Sequence, residues 1–333
     1  MPTPPLVDIF SRFQPRRVHG ISAVLLPYTP QGVIDWEAFE RHLARTKAAG
    51  LDVAVNMDTG FVDLLTPRER EAVLDATRHA LGGGVVFYAG AFPVTDGDVA
   101  SYHAATAAIA ARGGVPVIVQ SRAMHPLPSA EKAALYARIC ERVERALVFE
   151  LGTMFAPHGE IWDDATFERI MAIPNIAGAK HSSLDRGIEF RRLAARDRLR
   201  RGFRIYTGND LAIDMVAYGS DYLLGLSTFA PEVFARRDRA LADGDVSFLT
   251  LNDTLQHLGN VGFRAPVPAY KHSAAQFLHI TGGLDSDSVH PLAPRRPGSD
   301  RVLLFDCALR LGMIEDAERT FRERVQPYLQ AGK

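Results

Sequence analysis

The chain has 333 residues, 47% of them hydrophobic, and a formal net charge of −1, enough apolar material for a sizeable core in a soluble globular protein. Both charge signs are interspersed, so there is no electrostatic basis for nucleic acid or an anionic membrane as partner. No 18-residue apolar run marks a membrane span, and the expected partner is a small molecule.

The amino-terminal Met1-Pro-Thr-Pro-Pro-Leu-Val-Asp8 has no basic segment followed by a long apolar one, and the two cysteines, Cys140 and Cys307, show no CxxC or Cys/His spacing. A cytoplasmic, reducing location without structural zinc is the expectation. After this proline-rich lead-in, residues 20–26 are an apolar run closed by Pro27-Tyr-Thr-Pro30, a strand and then a turn. A helix follows with Asp35 as N-cap, Phe39 and Leu43 on its core face and Gly50 as its stop. Residues 53–57 read as a second strand, and the loop after it leads to Thr66-Pro-Arg-Glu69, a capping box with proline at the first helical position.

The alternation then repeats, with strands at 85–90, 115–120, 146–151, 176–180, 204–207 and 222–226. Helices are expected between them at 98–112, 129–143, 163–172, 187–196 and 211–218, and a last one at 231–242. Eight β/α units favour a closed (β/α)8 TIM barrel over an open doubly wound sheet, and no G-x-G-x-x-G follows an early strand. Further helices are expected at 246–258, 267–280, 302–311 and 314–329. This divides the chain into a lead-in (1–19), a barrel (20–243) and a C-terminal helical appendage (244–333).

Chemistry in such a barrel gathers where strands end and βα loops begin. The strand ends offer Tyr28, Asp58 and Thr59, Gln120 to Arg122, Phe149 and Glu150, Lys180 to Ser183, and Gly208 to Asp210. Lys180 is the only amine among them. The chain holds five lysines against 33 arginines, so a lysine on the small-residue strand Ile176-Ala-Gly-Ala-Lys180 is unlike its ordinary cationic surface. Two readings stand on the residues alone: a strand-capping lysine, or an amine whose burial lowers its pKa and frees it to attack a carbonyl.

The order Leu26-Pro-Tyr-Thr-Pro30, Asp58-Thr-Gly60, Gly178-Ala-Lys-His-Ser-Ser183 and Gly208-Asn-Asp210 resembles the dihydrodipicolinate synthase and N-acetylneuraminate lyase family. The likeness runs from about Gly20 to Gly312 and includes Lys271 and His290-Pro-Leu-Ala-Pro294. It implies a barrel with C-terminal helices, a homo-oligomer (dimer or tetramer), and class I aldolase-type lyase chemistry on a 2-keto acid or keto-sugar acid. Lys180 would form a Schiff base with the substrate ketone, and no metal or organic cofactor is required. The family's loop after the second strand holds the substrate carboxylate, and Thr59 and Gly60 occupy that loop.

Three departures qualify the resemblance. Asp58 replaces a threonine; an ionised Asp58 beside a carboxylate costs on the order of several kcal/mol unless it is neutral or paired, and the alternative is that Asp58 accepts from a substrate hydroxyl or carries a proton in the catalysis. Phe149 stands where the family has a proton-relaying tyrosine. Its neighbour Glu150 is a candidate replacement acid/base only if it turns into the barrel mouth, against the alternative of a surface or subunit-contact carboxylate. After the fourth strand a Pro-Tyr-Tyr motif gives way to Gln120-Ser-Arg-Ala-Met-His125, where Arg122 is a candidate carboxylate clamp and His125 a candidate proton carrier, each weighed against a solvated surface group. Tyr28, Phe149, Ser182 and Gly208 complete the candidate surroundings of the imine. Tyr28 either approaches it or packs beneath it, Ser182 and Ser183 serve as loop or cap hydroxyls, and Lys271 is read as structural on an outer helix. A non-catalytic barrel that binds a keto or sugar acid is the alternative function. A metal-dependent aldolase ranks last, for want of convergent ligands.

Overall fold

The computed structural model describes residues 12–93, 97–156 and 158–330. Eight parallel strands close into one barrel in sequence order. They are β1 (Gly20–Ala23), β2 (Asp52–Val55), β3 (Phe87–Ala91), β4 (Gly114–Ile118), β5 (Ala146–Leu151), β6 (Ile176–Ser182), β7 (Arg204–Thr207) and β8 (Asp221–Leu224), with β8 pairing back onto β1. The helices between and after them are α1 (Trp36–Ala48), α2 (Pro67–Leu81), α3 (Val99–Ala110), α4 (Ser129–Cys140), α5 (Asp164–Met171), α6 (Arg186–Leu199) and α7 (Pro231–Asp243). Part of the expected lead-in, residues 1–11, lies outside the described residues.

The two-residue period of the strands sorts their side chains into two layers. Ile21, Ala54, Val117, Leu147 and Leu223 fill the barrel interior, while Val53, Ile118, Val148, Ile205 and Leu224 meet the helices outside. Each such buried aliphatic side chain contributes about 1.5–3 kcal/mol, so both faces of every strand resist a register slip. Local caps fix the helix starts. Asp35 accepts from the Ala38 N–H at 3.0 Å, and Thr66 and Glu69 form the expected reciprocal capping box.

The N-terminal end of the barrel is plugged by polar pairs. Asp221 accepts from Arg16 at 2.8 Å and from the His19 N–H at 2.9 Å, and the His19 ring bridges Tyr206 at 3.0 Å and Asp52 at 2.8 Å. Two expected helices differ. Residues 211–218 form a 3-10 turn, Ile213–Tyr218, because the Asn209 side chain takes the Leu211 N–H and Gln256 takes the Ile213 N–H. After Asp243 come α8 (Ser247–Gly262), a 3-10 turn and α9 (Tyr270–Ile280), then α10 (Asp300–Arg310). The stretch expected as one helix at 314–329 is two, α11 (Ala317–Arg324) and α12 (Gln326–Gln330), interrupted at Val325.

Among the described residues no helix is long and apolar enough to cross a membrane. Cys140 and Cys307 are free and buried, and burial pushes both thiols up to about 12.

Candidate active site

Strand β6 carries small residues where the barrel is tight. A side chain at Gly178 would lie 2.7 Å from the Arg204 carbonyl oxygen and 2.9 Å from the Tyr206 ring. Two residues on, the same face presents Lys180, which pairs in register with Phe149 of β5. Lys180 is 7% exposed, and its Nζ stands 4.2 Å from the centre of the Phe149 ring. Gly208 makes the room for it: a Cβ there would come within 2.7 Å of Lys180 Cε and 2.1 Å of Ser182 Oγ. Ser182 is buried and donates to the Gly208 carbonyl at 3.2 Å.

Burial lowers the Lys180 amine from 10.5 to about 8, while the charges of Asp210 and Asp58 pull in the opposite direction. Lys47, Lys132 and Lys271 each meet a carboxylate, and Lys333 lies outside the described residues. Among the described residues, then, Lys180 is the lysine without an ion pair. Asp210 is buried and accepts from the Leu226 N–H at 2.7 Å. Burial pushes its carboxyl up to about 7 against that hydrogen bond and the Lys180 charge.

The loop after β2 turns sharply, with Asn56 and Phe61 in the left-handed region on either side of a 3-10 turn, Asp58–Gly60. Lys271, expected on an outer helix, instead turns in to this loop. Lys271 is buried and donates to Asp58 Oδ1 at 3.0 Å. Its neighbour Tyr270, which the sequence reading missed, donates to Asp58 Oδ2 at 2.8 Å and lies 2.8 Å from Thr59 Oγ1. Both come from the start of α9, which stacks the Tyr270 ring on Phe263 at 4.3 Å. One signal was available. A carboxylate replacing a hydroxyl in a buried loop calls for a cation, and the tail carries few lysines.

Glu150 is a further correction. It pairs in register with His181, so both point outward, between the barrel and its helices. Glu150 is fully buried and accepts from His181 Nδ1 at 2.6 Å, Arg192 at 2.8 and 3.1 Å, and the Trp162 N–H at 3.1 Å. Burial pushes its carboxyl up, but the charges of His181 and Arg192 outweigh burial and hold it below the usual carboxylate range. His181 passes the chain on to Ser183 at 2.7 Å, whose hydroxyl also takes the Asp185 N–H and so shapes the turn into α6. Among the described residues the hydrogen bonds of Glu150 lead into the wall and on through His181 to Ser183, and none joins it to Lys180.

The loop after β4 leaves its two candidates solvent-exposed. Arg122 is exposed, and His125, about half exposed, sits 3.8 Å from Glu160. Among the described residues neither makes a hydrogen bond or ion pair with Lys180. Tyr28 is buried, edge-on to Phe61 at 5.7 Å and His290 at 5.5 Å, with its hydroxyl unpartnered among the described residues. The Gly60 N–H closes the loop on the Met57 carbonyl at 2.9 Å. Among the described residues no three His, Cys, Asp or Glu side chains stand together as metal ligands.

The arrangement therefore offers a buried amine with two carboxyl groups in electrostatic reach, a phenol and a second amine. The barrel is similar to solved dihydrodipicolinate synthase structures. That of Acinetobacter baumannii, complexed with pyruvate, is 22% identical with a TM-score of 0.74, covering 90% of this chain and 100% of that one. That of Thermotoga maritima is 19% identical at 0.75, covering 90% and 100%. A prophage protein of the dihydrodipicolinic acid synthase family from E. coli K12, also complexed with pyruvate, is 17% identical at 0.77, covering 89% and 99%. At these identities the likeness establishes the fold. No curated protein matches the sequence. The family DUF993, described as a protein of unknown function, matches residues 5–332, and the chain belongs to that family.

Proposed function

We propose that this protein is a Schiff-base-forming lyase that acts on a small carbonyl compound through Lys180. The observation that carries the reading is a buried amine, lowered to about 8, at the end of a barrel strand with no carboxylate paired to it. At pH 7 about a tenth of such an amine is neutral, against roughly one part in 3,000 for an ordinary lysine. The neutral nitrogen adds to the carbonyl carbon, and the carbonyl oxygen leaves as water after gaining two protons. The resulting iminium then takes up the electron pair of a breaking carbon–carbon or carbon–hydrogen bond, giving an enamine. Asp210, with its carboxyl near 7, is suited to deliver and recover protons at neutral pH.

The test is reductive trapping. Cyanoborohydride with a panel of ketones, ketoses and 2-keto acids should leave a mass increment confined to the peptide that holds Lys180. Specific binding of a carbonyl compound with no adduct from the whole panel would favour instead the binding-only barrel, the reading that Phe149 in place of a proton-relaying side chain supports.

Two outcomes follow from the geometry. The trapping rate should rise about tenfold per pH unit up to about 8 and flatten above it, because the reactive species is the deprotonated amine. A rise that continues to pH 10 would mean an ordinary lysine. Gly208→Ala should slow trapping at least tenfold, since its Cβ collides with Ser182 Oγ and Lys180 Cε; unchanged trapping would show that the amine is not held by this contact.

A further inference from the structure

We propose that the substrate is an uncharged α-hydroxy carbonyl compound rather than a 2-keto acid, because the loop beside Lys180 faces its ligand with hydrogen-bond acceptors. This rests on the imine reading above and specifies the group next to the carbonyl.

The direction of each hydrogen bond around Asp58 can be assigned. A carboxylate only accepts, so the single phenolic proton of Tyr270 goes to Asp58 Oδ2 at 2.8 Å. The 2.8 Å contact between Tyr270 and Thr59 then has only one proton to use, that of Thr59. Lys271 donates to the other oxygen of Asp58. The chain of donation runs from Thr59 through Tyr270 to Asp58, with Lys271 closing it from the far side. Thr59 therefore keeps lone pairs for a ligand and no proton. The Gly60 N–H, the other donor expected to hold an acid, is spent on the Met57 carbonyl. The Thr59 and Tyr270 hydroxyls and the Gly60 N–H thus have no proton left for an acid, whereas a hydroxyl finds acceptors in Thr59 and Asp58.

The charges agree. Asp58 and Asp210 both lie close enough to act on the Lys180 amine, and Lys271 is committed to Asp58. Above pH 7, where Asp210 is mainly ionised, the Lys180 iminium and Lys271 are balanced by Asp58 and Asp210. An uncharged substrate leaves that balance intact, while a 2-keto acid adds an uncompensated negative charge to a buried site, an unfavourable arrangement in low dielectric. The arrangement that replaces the acid-binding hydroxyl by Asp58 thus has its own logic: Lys271 and Tyr270 hold a carboxylate in place as an acceptor for the substrate's hydroxyl.

The experiment compares cyanoborohydride trapping of the full-length protein by hydroxyacetone and by pyruvate at pH 8, each rate divided by that of a simple primary amine with the same ketone. A normalised preference for hydroxyacetone of threefold or more is expected; any smaller ratio, or a preference for pyruvate, overturns the substrate class and leaves the imine reading standing. Failure of both ketones to label Lys180 overturns the substrate class, and failure of the whole carbonyl panel overturns the imine reading with it. In Asp58→Thr, which returns two hydroxyl protons to the loop and leaves Lys271 uncompensated, the ratio should shift at least tenfold toward pyruvate. An unchanged ratio in the folded variant would show that Asp58 does not set the choice.

Discussion

Replacing Lys180 by methionine should abolish reductive trapping and reduce any turnover on the order of 10³-fold or more, while the protein melts no lower than the parent. Loss of a covalent nucleophile removes the whole pathway through the imine and not one increment of binding. The stability half of the prediction comes from the same burial. An amine lowered from 10.5 to about 8 makes folding less favourable by about 3 kcal/mol wherever the folded protein keeps it charged. The sign is as follows: below pH 8 both folded and unfolded chains bind the proton and the folded state bears the full cost, which fades as pH rises from 8 toward 10.5. Methionine fills similar space over the Phe149 ring without a charge. Differential scanning calorimetry of both proteins at pH 7 and 9.5, beside intact-mass trapping, checks it. A variant that melts well below the parent at pH 7 would show that the Lys180 charge is stabilising and so not poised for attack.

The largest stability loss should come from the barrel wall. Arg192→Met is expected to cost about 3–5 kcal/mol, the usual result of stranding one partner of a buried ion pair. Arg192 is 1% exposed, donates to both oxygens of Glu150 and to Asp164, and lies 4.5 Å from the Phe167 ring. Removing it leaves the Glu150 carboxylate facing only His181 and one backbone N–H. Urea denaturation measures the loss directly. Glu150→Gln supplies the complementary test: stability falls, but trapping per folded molecule holds, because Glu150 lies outside the barrel interior. Loss of trapping in a Glu150→Gln protein that remains folded would return that residue to the chemistry.

The architecture was legible in the sequence because a (β/α)8 barrel writes itself as a local rhythm: eight short apolar runs alternating with helical stretches, five of which open on a capping side chain. Lys180 was legible for a related reason, since its position depends only on where β6 ends. What the sequence left open was decided by tertiary placement. Whether Phe149 or Glu150 looks inward is a matter of one residue of strand register, fixed by pairing with Lys180 and His181. The loop after β4 carries reactive-looking residues, Arg122 and His125, but its path is set by packing, and it leaves them solvent-exposed. Tyr270 and Lys271 lie 212 and 213 residues from Asp58. No local pattern announces that separation; it requires knowing where α9 docks.

That separation also has a consequence in time. A chain made from its amino terminus exposes Asp58, Thr59 and Lys180 long before Tyr270 and Lys271 exist. Until α9 arrives, the loop after β2 has an unmatched carboxylate and a threonine free to donate, and the barrel's reactive end is unfinished. The site is thus completed only after all eight strands have been made, and a chain that ends at α7 carries a loop of different chemistry. Carrying both partners of Asp58 at the head of one helix beyond the barrel makes the finished site a mark of a chain that has been made past the barrel and has docked α9.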